Sequence, residues 1–305
     1  MSKILVGIGE TDRSGDAIAL ASQLARGSGA ELVLVRAYPY DDHPGRGANT
    51  AYRQYLCEDA EQTIDRALNG GTDLPLARRL VADPSPAKAI QTMAMQEDAA
   101  LIVLGSSRHG AVGRVLAGTT AERLLHGAPC PVAVAPKGFR DQEPHAVETI
   151  GVAYDGSPES EAALVAATTV AHALGARLRV IEVLDLMMSG TPALMAGPGY
   201  IDLPRDVEAR AERRLADFVA GLPEGISAEP MVLVGHPEAT LATQSEQVDL
   251  MVAGSRGYGP HRAVLLGSVS GRLVRDAACP VIVVPRGVEA PLEELFGGRS
   301  GAQPV

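Results

Sequence analysis

A chain of 305 residues is long enough for two domains of ordinary size, each with a core of its own. It carries 27 basic against 37 acidic side chains, a formal charge of −10, divided as −2 over residues 1–146 and −8 over the remainder. Neither half has the basic footprint that a nucleic-acid backbone or an anionic membrane surface requires, so non-specific DNA binding is excluded.

In chain order, short apolar runs of strand length stand at Lys3–Ile8, Glu31–Ala37, Leu76–Ala82, Ala100–Gly105 and Val132–Ala135. A linker of about Lys137 to Ala146 follows, and the pattern then starts again. The second set of runs is Thr149–Tyr154, Arg177–Leu184, Ala228–Gly235, Leu250–Gly254 and Val281–Val284. Longer stretches between them, such as Ser160–Leu174 and Asp206–Gly221, have helical length and an alanine-rich composition.

The second half is a copy of the first. Gly127–Pro136 aligns with Asp276–Pro285 at an offset of 149, which also carries Gly105 to Gly254 and Gly118 to Gly267. Ile4-Leu5-Val6 matches Ile150-Gly151-Val152 at an offset of 146, so the two copies differ by only three residues in between. The division expected is residues 1–137, residues 147–286 and a disordered tail over 287–305, in which Leu292-Glu293-Glu294-Leu295-Phe296 precedes a Gly/Ser-rich end. Several runs are apolar on both faces, as a parallel sheet between helix layers requires. Each copy is expected to be a five-stranded α/β unit with strand order 3-2-1-4-5.

In an open parallel sheet, ligands bind beyond the carboxyl ends of the strands where the order reverses. Here that place lies between strands 1 and 4. In the second copy strand 4 runs into Gly254-Ser255-Arg256-Gly257, and Gly267-Ser268-Val269-Ser270 follows at the start of a helix. Glycines there let backbone N–H groups approach a ligand, and a helix start suits a phosphate. The same residues would also serve plain turns and a helix cap. After strand 1 comes Asp155-Gly156-Ser157; its carboxylate can accept from a ribose diol or simply build the turn before Pro158.

The pattern G-x2-G-x9-G-[ST] after strand 4, the Asp after strand 1 and the closing Cys-Pro-Val-x-Val strand resemble the universal stress protein family in its tandem form, over about residues 1–286. The resemblance implies a 3-2-1-4-5 sandwich and, in many members, ATP in this crevice. It would place Asp155 at the ribose or adenine end and Val183, closing strand 2, in the adenine pocket. Gly254, Gly257, Gly267 and Ser268 would surround ribose and phosphates, with Val269 and Ser270 continuing the helix-start cradle. It further implies that the copies pack through their last strands as an intramolecular pseudo-dimer. Any Mg²⁺ or Mn²⁺ would ride on the phosphates, because the chain offers no evident ligand cage of its own. The first copy departs from the pattern: Gly9 replaces Asp155, and Arg108 replaces Gly257 in Gly105-Ser106-Ser107-Arg108-His109-Gly110, while Gly118-Thr119 is kept. An arginine is a strong phosphate ligand, but the expectation is of unequal sites, the second copy being the better ATP site.

Other chemistries find little support. The three lysines, Lys3, Lys88 and Lys137, do not follow a glycine, so a Walker A loop is absent. Gly7-Ile8-Gly9-Glu10-Thr11-Asp12 lacks the third glycine of a dinucleotide fingerprint and sets two carboxylates against a pyrophosphate. Gly267-Ser268-Val269-Ser270-Gly271 is not a nucleophile elbow. The seven histidines form no metal-binding pair, although His109 and His261 fall in the loops after strand 4. Cys57, Cys130 and Cys279 show no CxxC spacing, and buried packing is expected for the last two. No apolar run approaches the roughly 20 residues of a membrane span. The strand-like start leaves no room for a signal peptide, so a cytoplasmic protein is expected. Leu186–Leu203, with Met187, Met188, Met195 and Tyr200, reads as a cover over the second-copy loops, a partner surface or a disordered excursion. The function expected is that of an ATP-binding regulatory protein of stress or growth state. A partner-binding module with no nucleotide and a slow ATPase are its rivals.

Overall fold

A computed structural model describes residues 2–9, 13–40, 50–68, 73–107, 111–143, 145–185, 203–223, 225–255 and 267–288, together with Leu292 and Leu295. The first repeat consists of β1 (Lys3–Gly7), α1 (Arg13–Ser28), β2 (Glu31–Tyr38), α2 (Thr50–Leu68), β3 (Leu76–Ala82), α3 (Pro86–Gln96), β4 (Leu101–Gly105), α4 (Thr119–Leu125) and β5 (Val132–Ala135). The second consists of β6 (Thr149–Tyr154), α5 (Pro158–Leu174), β7 (Arg177–Leu184), α6 (Leu203–Ala220), β8 (Ala228–Val234), α7 (Pro237–Gln244), β9 (Leu250–Gly254), α8 (Ser268–Asp276) and β10 (Val281–Val284).

Local chemistry sets several helix starts. Ser157 accepts from the Ser160 N–H and Pro158 takes the first helical position, where a missing N–H costs nothing. Ser85 and Pro86 repeat the device on α3. Gly175 closes α5 in the left-handed region, at φ 67°.

All ten strands join one sheet in the order β3-β2-β1-β4-β5-β10-β9-β6-β7-β8. Each repeat is parallel and shows the expected 3-2-1-4-5 order. The seam is the antiparallel pair β5–β10, with Val134 opposite Val281 and Val132 opposite Val283. Side chains alternate between two apolar layers: Ile4 and Val6 face the layer containing Leu20 and Leu24 of α1, whereas Leu5 faces the layer containing Ile90 of α3 and Leu124 of α4. Each fully buried leucine or isoleucine contributes about 1.5–3 kcal/mol, so this two-sided burial explains why the strands read as unbroken apolar runs.

The linker is not a loose tether. Asp16 in α1 is 2 % exposed and accepts the backbone N–H groups of Gly138 at 2.9 Å and Arg140 at 3.0 Å, fixing the 3₁₀ turn Phe139–Asp141. Phe139 enters the core. The tail also needs correction: Leu292 and Leu295, placed by the sequence reading in a disordered 287–305, are helical, 1 % and 2 % exposed, and part of the core. Two leucines three apart present one helical stripe, and its burial outweighs the flanking glutamates. The Met-rich segment falls, but for Leu203, within residues 186–202, which lie outside the described residues. Among the described residues no helix is long and apolar enough to cross a membrane.

Candidate functional site

In the second repeat the carboxyl ends of β7, β6 and β9 are neighbours, so the loops after β6 and β9 share one edge of the sheet. Asp155 stands just past β6 and is exposed. Its Oδ1 accepts the Ser157 N–H at 3.1 Å and the Ser157 hydroxyl, which makes the turn that launches α5. The carboxylate is therefore a turn-former standing just past the carboxyl end of β6. Val183, near the end of β7, is half-buried against the layer that also holds Val269.

Gly254 has a structural duty that sequence reasoning assigned to ligand access. A Cβ there would lie 2.3 Å from the carbonyl oxygen of Glu159, so the glycine lets the first turn of α5 press on the end of β9. Gly105 does the same in the first repeat, where a Cβ would meet the Arg13 carbonyl oxygen at 2.2 Å. Beyond Gly254, Ser255 is fully buried; its N–H donates to Val284 and its hydroxyl accepts from the Arg286 N–H at 3.1 Å.

On the same edge, α8 starts at Gly267 with φ −64° and ψ 163°, a glycine with no side chain of its own to cap the helix. The Gly271 N–H returns to the Gly267 carbonyl at 2.8 Å. Helix geometry leaves the N–H groups of Ser268, Val269 and Ser270 without intrahelical acceptors. Ser268 is exposed, Val269 is half-buried, and Ser270 is 1 % exposed with its hydroxyl turned back onto Gly267 O. What the helix offers outward is its backbone donors, its dipole and one hydroxyl, that of Ser268. Gly257 and His261 lie outside the described residues, as do Arg108, His109 and Gly110.

Both halves of the chain match the family model described as the universal stress protein family, at residues 1–136 and 146–285. The chain belongs to the universal stress protein family. A universal stress protein of Mycobacterium tuberculosis is 33 % identical over 260 residues, covering 83 % of each chain. One from Thermus aquaticus is 36 % identical over 141 residues, 45 % of this chain and 98 % of its own, so it has the size of one repeat. Among solved structures, a universal stress protein of Archaeoglobus fulgidus superposes with a TM-score of 0.64 at 20 % identity, covering 93 % of this chain and 98 % of its own. A putative one from Pseudomonas aeruginosa gives 0.64 at 19 % identity over 97 % and 98 %. At such identities the likeness concerns the fold.

This tandem universal stress protein carries charge differences between its repeats that the motif comparison missed. Arg13 in the first repeat corresponds to Glu159, and Arg36 to Glu182. The Arg13 guanidinium donates to Ser107 O at 2.8 Å, bracing the loop after β4. Its counterpart Glu159 pairs with Arg286 at 3.3 Å. Arg36 is 7 % exposed and reaches Ile8 O. Glu182 is 8 % exposed; Arg214 of α6 holds its Oε1, while Oε2 has no hydrogen-bond partner among the described residues. Burial pushes the Glu182 carboxyl above its ordinary value, against the pull of Arg214, and Asp155 adds to the rise. The 146-residue offset, applied to the charged positions, would have found both exchanges. Where Asp155 stands in the second repeat, Gly9 stands in the first, its N–H held by Ser14 Oγ at 2.9 Å.

Among the described residues no group of three or more His, Cys, Asp or Glu is placed to hold a metal ion. Cys130 and Cys279 are buried, and burial pushes both thiols up, Cys130 to about 12. A depression of about 470 Å³, bordered by Glu148, His172, Gly175, Arg177 and Ser227, lies at the opposite, amino-end edge of the second repeat. It is bordered by the end of α5 and the turns before β6, β7 and β8, away from the loops after β6 and β9.

Proposed function

We propose that this universal stress protein is a nucleotide-binding regulatory protein that takes ATP in the second-repeat crevice. One observation carries the reading: α8 starts on Gly267, which has no side chain to cap it, on the same sheet edge as Asp155. An anion supplies what the helix end lacks, and a carboxylate at the other wall suits a ribose diol or an adenine edge. Gly267, Ser268, Val269 and Ser270 would hold phosphates mainly through the backbone, and Asp155 would accept from the nucleoside with its turn geometry already set. Val183 would line the base. Gly254 serves the site indirectly, by packing β9 against α5, and Gly257 joins the group by its place in the motif. A micromolar Kd corresponds to about 8 kcal/mol, within reach of several backbone hydrogen bonds and a buried base. Mg²⁺ or Mn²⁺ would be carried on the phosphates. The regulatory output, stress or growth state, follows from the family rather than from any one residue.

Calorimetric titration of the full chain with ATP tests the reading. A micromolar Kd for the native chain, weakened at least about tenfold by Ser268→Glu, supports it. Ser268→Glu sets a carboxylate on an exposed first-turn position and leaves the core alone. No heat and no retention of ATP in parallel equilibrium dialysis would rule ATP out.

A further inference from the structure

The far end of α8 belongs to the other repeat. The last carbonyls of a helix have no intrahelical donors and need caps from elsewhere. Here the first repeat supplies most of them. Ala117 N–H donates to Val274 O at 2.6 Å, Val115 N–H to Ala277 O at 2.7 Å, and the Arg114 guanidinium to Asp276 O at 3.1 Å. Arg114 also pairs with Glu246, just beyond α7. Val115 is fully buried.

The segment that does this capping is the first repeat's own site loop. It lies between Gly105 and Gly118, the counterparts of Gly254 and Gly267. Leu116 O accepts the Ser107 N–H at 2.6 Å, and Leu116 N–H donates to the buried Ser106 hydroxyl, which itself donates to Ala135 O of β5 at 2.7 Å. The next residue, Gly118, occupies the position just before α4. A nine-residue helix, about 13.5 Å long at 1.5 Å per residue, thus starts on a glycine at the second-repeat loops and has its end capped by the loop of the first.

We propose that α8 couples the two repeats: an anionic ligand on its first turn, the ATP of the reading above, tightens the first-repeat loop Arg114–Ala117. The inference rests on that reading. The helix is short and packed in the core through Leu273 and Val274, so fixing one end restrains the other. The amides at the far end then exchange more slowly without any change of fold. Linkage makes the effect reciprocal: loosening the loop weakens the ligand.

Hydrogen exchange of the full chain, resolved at the Val115 and Ala117 amides, tests this with saturating ATP as the probe. The expected result is slowing of about fivefold at both, with Leu32 in β2 unchanged. In Ser268→Glu the slowing disappears. In Arg114→Ala, which removes the half-buried bond to Asp276 O and the ion pair with Glu246, the slowing shrinks and ATP binds a fewfold more weakly. Glu246→Gln, lacking only the ion pair, shows the same direction with a smaller size. If ATP binds and these amides are unmoved, the coupling is wrong while the nucleotide reading stands. If the slowing persists in Ser268→Glu, ATP is acting directly in the first repeat and the coupling is equally wrong. Absence of ATP binding overturns both.

Discussion

The two repeats share a fold and differ in what surrounds their crevices. Both keep a glycine at the end of the fourth strand because a helix backbone lies against it, and both start the next helix on a glycine that has no side chain to cap it. Around that common frame Asp155, Glu159 and Glu182 face Gly9, Arg13 and Arg36 across the repeat. The α8 helix has nine residues where α4 has seven. The two repeats thus share the contacts that pack the sheet, while the charged side chains around their loops differ.

The sharpest attempt to break this comparison is Gly105→Ala set beside Gly254→Ala. Both should lose about 3 kcal/mol, since each forces a Cβ into a backbone carbonyl. Equal losses in urea unfolding mark a shared packing role; a loss at Gly254 confined to ligand binding would contradict it. Next in size is Asp16→Ala, which strips the carboxylate from two backbone N–H groups of the linker turn and should cost about 2 kcal/mol. Ala162 occupies the corresponding place in α5, so Ala162→Ser should leave stability unchanged within about 0.5 kcal/mol. Thermal melts of both variants settle the contrast.

Asp155→Ala should lower ATP affinity about tenfold, near 1.4 kcal/mol, with less than 1 kcal/mol lost from the turn it builds. Ser14→Ala, altering the first-repeat turn at Gly9, should leave ATP affinity alone. Titration calorimetry separates them. The smallest effects are in pH dependence, where one carboxylate from each repeat differs in sign. Lys3 and Arg79 hold the Glu97 carboxyl below its ordinary 4.5, so its contribution is present above that value and lost as pH falls through the lowered pKa. Burial raises Glu182, so its contribution is complete below its unfolded value and lost as pH rises through the raised pKa. Unfolding at a series of pH values should show Glu97→Gln flattening the acid-side loss. Glu182→Gln should flatten a loss on the alkaline side of 4.5.

Much of this was legible in the residues. Buried parallel strands show as apolar runs because both faces are covered, and right-handed crossovers leave few orders for five of them. Val132–Ala135 and Val281–Val284 were found to the residue on that ground. The crevice loops followed from the reversal between strands 1 and 4. The duty of Gly254 was hidden, because its reason is the Glu159 carbonyl, 95 positions away and brought close only by packing. The capping of α8 by Arg114–Ala117 was hidden for the same cause: backbone donors carry no residue signature. The burial of Leu292 and Leu295 was obscured by the two glutamates between them and the glycines that follow.

The β5–β10 seam has a consequence for any attempt to halve the molecule. Severed at the linker, each piece would bare a four-residue ribbon of valine, alanine or isoleucine whose amides and carbonyls had been satisfied by the other. Such a fragment would seek a replacement, and the nearest match is another copy of itself. Expressed singly, either repeat should therefore be isolated as a twofold pair, not as a free monomer.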